Sequence, residues 1–518
     1  MQKFLNWLDN IAQIETENLF LKWLERIIFI FLILMILSAP HSIAATQISW
    51  LSGMFLWLIR MFVKPRPKFV RTPLDIALWA FLGWSAISSV FSYDPATSID
   101  RLRNVALFLI FYFVINNLKT VRAVKFLASA LIFSCMVNVL WTPIERIFGR
   151  GVEIHGVSAS SPLAKALLEE GDTLLEANGK KLKTPDDLIQ IVEQNEVTQV
   201  KFYRPDFYYT VEVKQTDLLS GADTFEKLGI TNWKKSRNWR SAGFYGHYTT
   251  YAEVLQLIAA LVFGLFIALD KKRSRRGGLL LFCLLAMTFA LILTVTRASQ
   301  LGFLAAAFAI VLAGGSRKML LTLALIALPL GIITLVFVQQ SREVGFFDRK
   351  DDSTIYRQTV YKEGFNLWTK DARNFLLGVG MDSIKRYAKQ WRLFDDGKLP
   401  MGHFHSTPLQ LLVERGLPAF LLWLWVLWRY GKTLLNYSAI RNLNPQSAIH
   451  NPKSNEWLER GIVLGGFGSL VGFFTGGLVH FNLGDAEVAM VFYMLMGLSV
   501  TLAVQDSKYG NFISAIKT

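Results

Sequence analysis

The residues of this chain that could do chemistry are histidines, arginines and carboxylates set beside long apolar runs. The densest group is Gly402-His403-Phe404-His405-Ser406-Thr407-Pro408, followed by Leu409-Gln410-Leu411-Leu412-Val413-Glu414-Arg415-Gly416-Leu417-Pro418. His405 falls where an apolar helix is expected to begin. A neutral imidazole there can take a proton from a hydroxyl near neutral pH, although alone it reads equally well as a hydrogen-bonded interfacial residue. Arg297, in Thr296-Arg297-Ala298-Ser299, lies alone between two apolar runs. A guanidinium in that position faces protein, phosphate or water, or snorkels to the interface. Arg357 opens a stretch that continues through Tyr361, Glu363, Gly364 and Trp368 to the turn Leu376-Leu377-Gly378-Val379-Gly380. Alone it would be a solvated surface residue. Arg240-Ser241-Ala242-Gly243-Phe244, with His247 close behind, is a further candidate, but Lys234, Lys235 and Arg237 make an ordinary basic patch an equal reading.

Other chemistries find less support. None of the seven histidines is followed by glutamate, so the HExxH helix of a zinc protease is absent. Gly83-Trp84-Ser85-Ala86 has no partnered histidine nearby. The pair His403-x-His405 could begin a metal site, but no carboxylate lies between Asp396 and Glu414. Neither a metal nor a cofactor is expected. Cys135 and Cys283 both sit inside apolar runs and read as small core residues.

The elements that must hold these groups are membrane helices. Of the 518 residues 52% are hydrophobic and only 18% charged, with 39 Phe and 15 Trp, and the mean hydropathy is +0.34. Apolar runs cover 27–45, 47–63, 72–91, 102–118, 123–141, 249–269, 278–295, 300–315, 318–338, 405–428, 461–480 and 487–504. Each matches the ~20 residues that cross a bilayer core, which gives an all-α polytopic membrane protein of about 12 transmembrane helices. Basic residues follow every second run: Arg60 to Arg71, Lys119 to Lys125, Lys271 to Arg276, Arg317-Lys318, and Arg429 to Arg441. The positive-inside rule then places both termini in the cytoplasm, as expected for a multi-pass protein of the bacterial inner membrane. The net charge of +16 orients helices rather than announcing nucleic acid. No cleavable signal is expected, since the first strongly apolar run follows an amphipathic lead-in without a small-residue cleavage site. A transporter would show repeat symmetry, and no repeat is visible.

Two long polar segments, 142–248 and 339–404, fall on the extracytoplasmic side. Domain bounds are set at 1–147 for the first five helices, 148–214 for an α+β unit, and 215–518 for the remaining helices with the catalytic loop 339–404. Within the α+β unit, 152–157, 173–177, 197–203 and 208–213 read as strands. Asn178-Gly179 reads as a tight turn, Thr184-Pro185-Asp186-Asp187 as a capped helix start, and Pro205-Asp206 as a joint between strands. Val157 through Leu188, with its Ser-Pro, Gly-Asp, Asn-Gly and Asp-Leu elements, resembles a bacterial PDZ domain. That likeness implies a peptide or protein ligand bound by strand addition beside a loop near Phe148-Gly149-Arg150-Gly151. A docking spacer that binds no free peptide is the alternative.

Taken in order, an arginine after an outer helix, R-x-x-x-Y-x-E-G-x-x-x-W, L-L-G-V-G and H-S-x-x-L-Q-L-L-V-E-x-G-L-P are similar to the O-antigen ligase family. That family also includes O-antigen polymerases and protein O-oligosaccharyltransferases. Arg240 to Phe244 with His247, and His480-Phe481-Asn482-Leu483-Gly484-Asp485, add to the likeness. The resemblance implies an inverting, metal-independent transfer of a glycan from a polyprenyl-diphosphate lipid, such as undecaprenyl diphosphate, to an acceptor hydroxyl outside the membrane. His405 matches the family's essential histidine. Arg297 and Arg357, with Arg240, match its diphosphate-facing arginines. His403, His247 and Glu414 are supporting candidates. The acceptor implied is lipid A core, as in lipopolysaccharide, or a second glycan repeat, or a protein. A polymerase and a non-catalytic export component stay open as alternatives.

Overall fold

The computed structural model describes residues 2–204, 207–237, 239–322, 325, 329, 331–333, 352–399, 401–437 and 456–516. Most of the apolar run 318–338, the first part of the loop 339–404, the Pro205-Asp206 joint and Arg441 lie outside the described residues. The chain divides into two compact units, one formed by Met1–Asn138 with Phe244–Thr518 and the other by Val139–Gly243.

The first unit is helical. Six of its described helices are long and apolar enough to cross a membrane: Val121–Phe148, which runs on into the second unit, Tyr248–Ala268, Arg275–Leu293, Arg297–Gly314, Thr407–Leu435 and Ala486–Gln505. Leu19–Ser38, Ile43–Phe62 and Glu456–Gly477 have the length but carry more polar residues. Asp75–Val90 is apolar but shorter. The run 102–118, expected as one span, is instead broken into Leu102–Val105, a 3-10 turn at Ala106–Phe108, and Leu109–Asn117. Twelve spans therefore overstate what the described helices support on length and composition. Charges on the first helices are paired. Arg26 donates to both oxygens of Asp9 at 2.8 and 2.7 Å, and Arg60 to Glu25 at 2.9 Å.

Tyr248–Ala268, Arg297–Gly314 and Glu456–Gly477 pack tightly because glycine lines their seams. Gly264 meets the backbone of Gly461 and Gly465, and Gly302 lies against Gln256 and Gly472. Small residues let membrane helices approach closely enough to gain dispersion energy that lipid cannot match.

Thr407–Leu435 is broken inside its span. Ser406 caps its start and Pro408 occupies the first turn, but Gly416 leaves the helical region at φ 75°, ψ 177°. Pro418 has no N–H, so the carbonyl of Glu414 has no partner within the helix. The turn Leu376–Gly380 fills the gap. The N–H groups of Val379 and Gly380 donate to the carbonyls of Val413 and Glu414 at 2.8 and 2.9 Å. The indole of Trp84 serves the carbonyl of Arg415 at 3.0 Å. Any side chain on Gly378 or Gly416 would strike this contact, Gly378 against Glu414 and Gly416 against Leu376.

The second unit is an antiparallel sheet of β1 (Arg150–His155), β2 (Thr173–Ala177), β3 (Lys180–Lys181), β4 (Val197–Arg204), β5 (Phe207–Lys214) and β6 (Asn232–Ser236). The order is β5-β4-β2-β1-β6, with β3 on β2. Its core gathers Val152, Ile154, Leu174, Leu188, Val192 and Phe202. Thr184 and Asp187 form a reciprocal cap on the helix Pro185–Glu193. The unit extends past 214 because β6 pairs with β1. The expected binding loop at 148–151 is instead a helix end running into β1. Gly149 and Gly151 turn the chain with positive φ, and the Arg150 guanidinium stacks on Trp239, 4.6 Å from the ring centre.

Gly416→Ala combines a positive φ with a backbone clash, costing roughly 2 kcal/mol or more. Thermal unfolding of the detergent-purified protein is expected at a clearly lower temperature than for wild type. An unchanged unfolding temperature would contradict the docked-turn description.

Candidate functional site

The site forms where the broken helix begins. Ser406 and the residues before it must leave the helix and turn, and His405 does so in the left-handed region at φ 47°. A β-carbon makes that conformation costly, so it persists only where neighbours fix it. Here the His405 N–H donates to Nδ1 of His403 at 3.2 Å, and its carbonyl accepts from the Tyr361 hydroxyl at 3.0 Å. The Tyr356 ring meets the His405 ring edge-on at 5.4 Å. Buried Phe404 donates its N–H to Gln410 at 2.8 Å and packs against Gly364 and Phe394. The motif Tyr-x-Glu-Gly thereby supports the histidine from the helix Asp352–Trp368.

A third imidazole comes from the other end of the sequence. The carbonyl of His480 accepts from Thr407 N–H at 3.2 Å and lies 3.1 Å from its hydroxyl. This ties the turn after Glu456–Gly477 to the start of Thr407–Leu435. Ring centres are 4.3 Å apart for His403 and His405, 5.6 Å for His403 and His480, and 6.3 Å for His405 and His480. Nδ1 of His480 lies 2.9 Å from the carboxylate of Glu253, which is wholly buried on Tyr248–Ala268. The two are a close pair but not a well-aligned hydrogen bond, since neither Glu253 oxygen nor His480 Nδ1 meets the geometry of one.

His403, His480 and His247 line a cavity of about 440 Å³ that also takes in Arg101, Glu414 and Arg415. Glu414 accepts from Asp382 N–H at 3.0 Å and Gln410 Nε2 at 2.8 Å, so it braces the turn rather than standing free. His247 stacks on Tyr248 at 4.9 Å.

Of the arginines read from the sequence, Arg357 is brought to this place: its charge acts on both His405 and His480. Arg297 is half-buried at the first position of Arg297–Gly314. Arg240 belongs to the other unit. Sequence reading passed over Arg101 and Arg415, and took His480 only as a supporting match. It missed Glu253 altogether, although a carboxylate in an apolar run is a signal in itself.

Burial, reinforced by the charges of His480 and Lys385, lowers the His403 pKa to about 4. Burial, with His403, His480 and Arg357, lowers that of His405 to about 3. His480 moves the other way. Burial opposes its charge, but the Glu253 carboxylate outweighs burial and raises the pKa.

Among the described residues, His403, His405 and His480 are close enough to share a cation. Nδ1 of His403 already accepts from His405 N–H, and the Arg357 charge acts on the other two rings. A metal would have to displace the first and withstand the second.

Residues 282–424 match the family described as O-antigen ligase. The matched stretch contains Arg297, Arg357, His403, His405 and Glu414, and it supports that family for this chain. Together with the candidate spans it points, at a coarse level, to a membrane glycan-processing role. No curated protein matches the sequence.

The two depressed histidines have a signature in stability. Unfolded, they bind protons below about pH 6.5; folded, they stay neutral to about 4 and about 3. Their stabilising contribution is therefore whole above pH 6.5 and lost as pH falls from there toward 3. Thermal unfolding followed from pH 7.5 to 4.5 is expected to show a shallower loss of stability in His405→Gln than in wild type.

Proposed function

We propose that this protein transfers a glycan from a polyprenyl-diphosphate lipid to a hydroxyl acceptor on the extracytoplasmic side of the bacterial inner membrane. The observation that carries the reading is the cluster of His405, His403 and His480 with Arg357 in electrostatic reach; Arg357, His403 and His405 lie in the stretch 282–424 that matches the O-antigen ligase family.

In this reading Arg357 and Arg297 engage the lipid diphosphate. Guanidinium groups meet phosphate oxygens bidentately and keep their charge at any physiological pH. They stabilise the negative charge that grows on the diphosphate as the sugar leaves. Arg240 is a third candidate for the same ligand. His405 is the general base. It takes the proton of the acceptor hydroxyl as that oxygen attacks the anomeric carbon from the face opposite the leaving group, which inverts the centre. No metal enters the scheme. The basic loops, read by the positive-inside rule, support this chemistry outside and both termini inside. The α+β unit Val139–Gly243, with β5 and β6 at its edges, is read as a docking module for a protein or peptide partner.

Transfer by purified protein, with polyprenyl-diphosphate glycan as donor, tests the proposal. His405→Ala is expected to lower kcat about 10²–10⁴-fold. Arg357→Gln is expected to raise KM for the donor and lower kcat, with Arg357→Lys only partly active. Equal transfer by wild type and His405→Ala would remove the proposed base.

A further inference from the structure

The proposed base has a thermodynamic difficulty. An imidazole as buried as His405, beside two others and a guanidinium, is available to accept a proton but poor at keeping it. A proton taken there must move on. Among the described residues, His480 is suited to receive it.

His480 differs from its neighbours in having a carboxylate behind it. Glu253 is fully buried on an apolar helix, and Nδ1 of His480 lies 2.9 Å away. A carboxylate in that environment is costly to keep unless a cation is available to it. The ligand nitrogens of His403, His405 and His480 all lie within 4.8 Å of one another. One hydroxyl or water oxygen can span that separation with two hydrogen bonds of about 2.9 Å. The bond from Thr407 N–H to the His480 carbonyl ties the backbone of His480 to the segment that carries His405.

We infer that His480, backed by Glu253, is a further catalytic residue of the site and retains the acceptor proton that His405 first takes. The inference rests on the transferase reading and deepens it. The hydroxyl O–H bond breaks as its oxygen bonds the anomeric carbon. The bond from that carbon to the diphosphate breaks, and its electron pair leaves on phosphate oxygen. The proton passes from His405 through one bridging oxygen to His480, where the Glu253 carboxylate balances the imidazolium. Glu253 is a positioning residue: its carboxylate stands 2.9 Å from Nδ1, where it balances the ring's charge, and leaves Nε2 for the proton.

The charged and titratable groups acting on His480 are Glu253, Asp485, Arg357, His403 and His405. Glu253 is the largest of the influences that favour the protonated ring. Removing its charge makes His480 a weaker base, so the acid limb of the rate profile moves to lower pH while the maximum rate falls.

The full-length protein in nanodiscs is supplied with polyprenyl-diphosphate glycan from membranes of a strain lacking it. Release of polyprenyl diphosphate is followed from about pH 5.5 to 9, across the range in which histidine titrates. Glu253→Gln is expected to lower kcat about tenfold or more with KM within about twofold, and to shift the acid limb downward. Glu253→Asp is expected to restore part of both. His480→Gln is expected to lose rate without recovering the limb. A Glu253→Gln profile that matches wild type, or one lowered equally at every pH, would overturn the inference. With no release by wild type the transferase reading itself fails, whereas release alike in wild type and His405→Ala removes the proposed base and this inference with it.

Discussion

A membrane-spanning helix cannot leave backbone carbonyls unpaired in lipid, where each costs several kcal/mol. Thr407–Leu435 nevertheless breaks at Gly416, with Pro418 removing one more donor. The structure around the site answers that constraint. Leu376–Gly380 must lie against the break to supply the N–H groups of Val379 and Gly380, and Trp84 must reach the carbonyl of Arg415. Once that turn is seated, the Asp352–Trp368 helix before it is held against the start of the broken helix. Tyr361 can then grip the carbonyl of His405. The site is thus held by the same contacts that repair the helix.

The break also explains the arrangement of polar side chains. Glu414 and Gln410 bond each other, and accept from the N–H groups of Asp382, just past the docked turn, and of Phe404, which consumes groups that would otherwise be unpaired. The imidazoles are held differently. They are fixed largely by backbone contacts, such as His405 N–H to His403 and Thr407 to the His480 carbonyl. Only His480 has a buried carboxylate at its back. On the proposed reading, such a cluster separates a group that receives a proton from one that keeps it.

Much of this was legible in the residues. The apolar runs marked the helices Tyr248–Ala268, Arg275–Leu293 and Arg297–Gly314 and the start of Thr407–Leu435 to within a few residues, because crossing length and composition are local properties. The turn Gly378-Val379-Gly380 and the His403–His405 segment stood out for the same reason. The pairing of Glu253 with His480 did not. It joins residues 227 positions apart through packing of glycine-lined helices, and no local pattern encodes that seam. The break of 102–118 was hidden too, since an apolar run reads alike whether its helix is continuous or not. In the α+β unit β6 escaped notice because Asn232–Ser236 is polar and pairs at an edge of the sheet.

The central claim is that a lipid diphosphate is held beside this imidazole cluster. A photoreactive polyprenyl diphosphate, cross-linked to the nanodisc-embedded protein and mapped by mass spectrometry, measures that directly. The account places the adducts on Asp352–Trp368, on residues 402–406 and on residues 480–485. Adducts confined to the basic loops at 64–71 and 271–276 would contradict it.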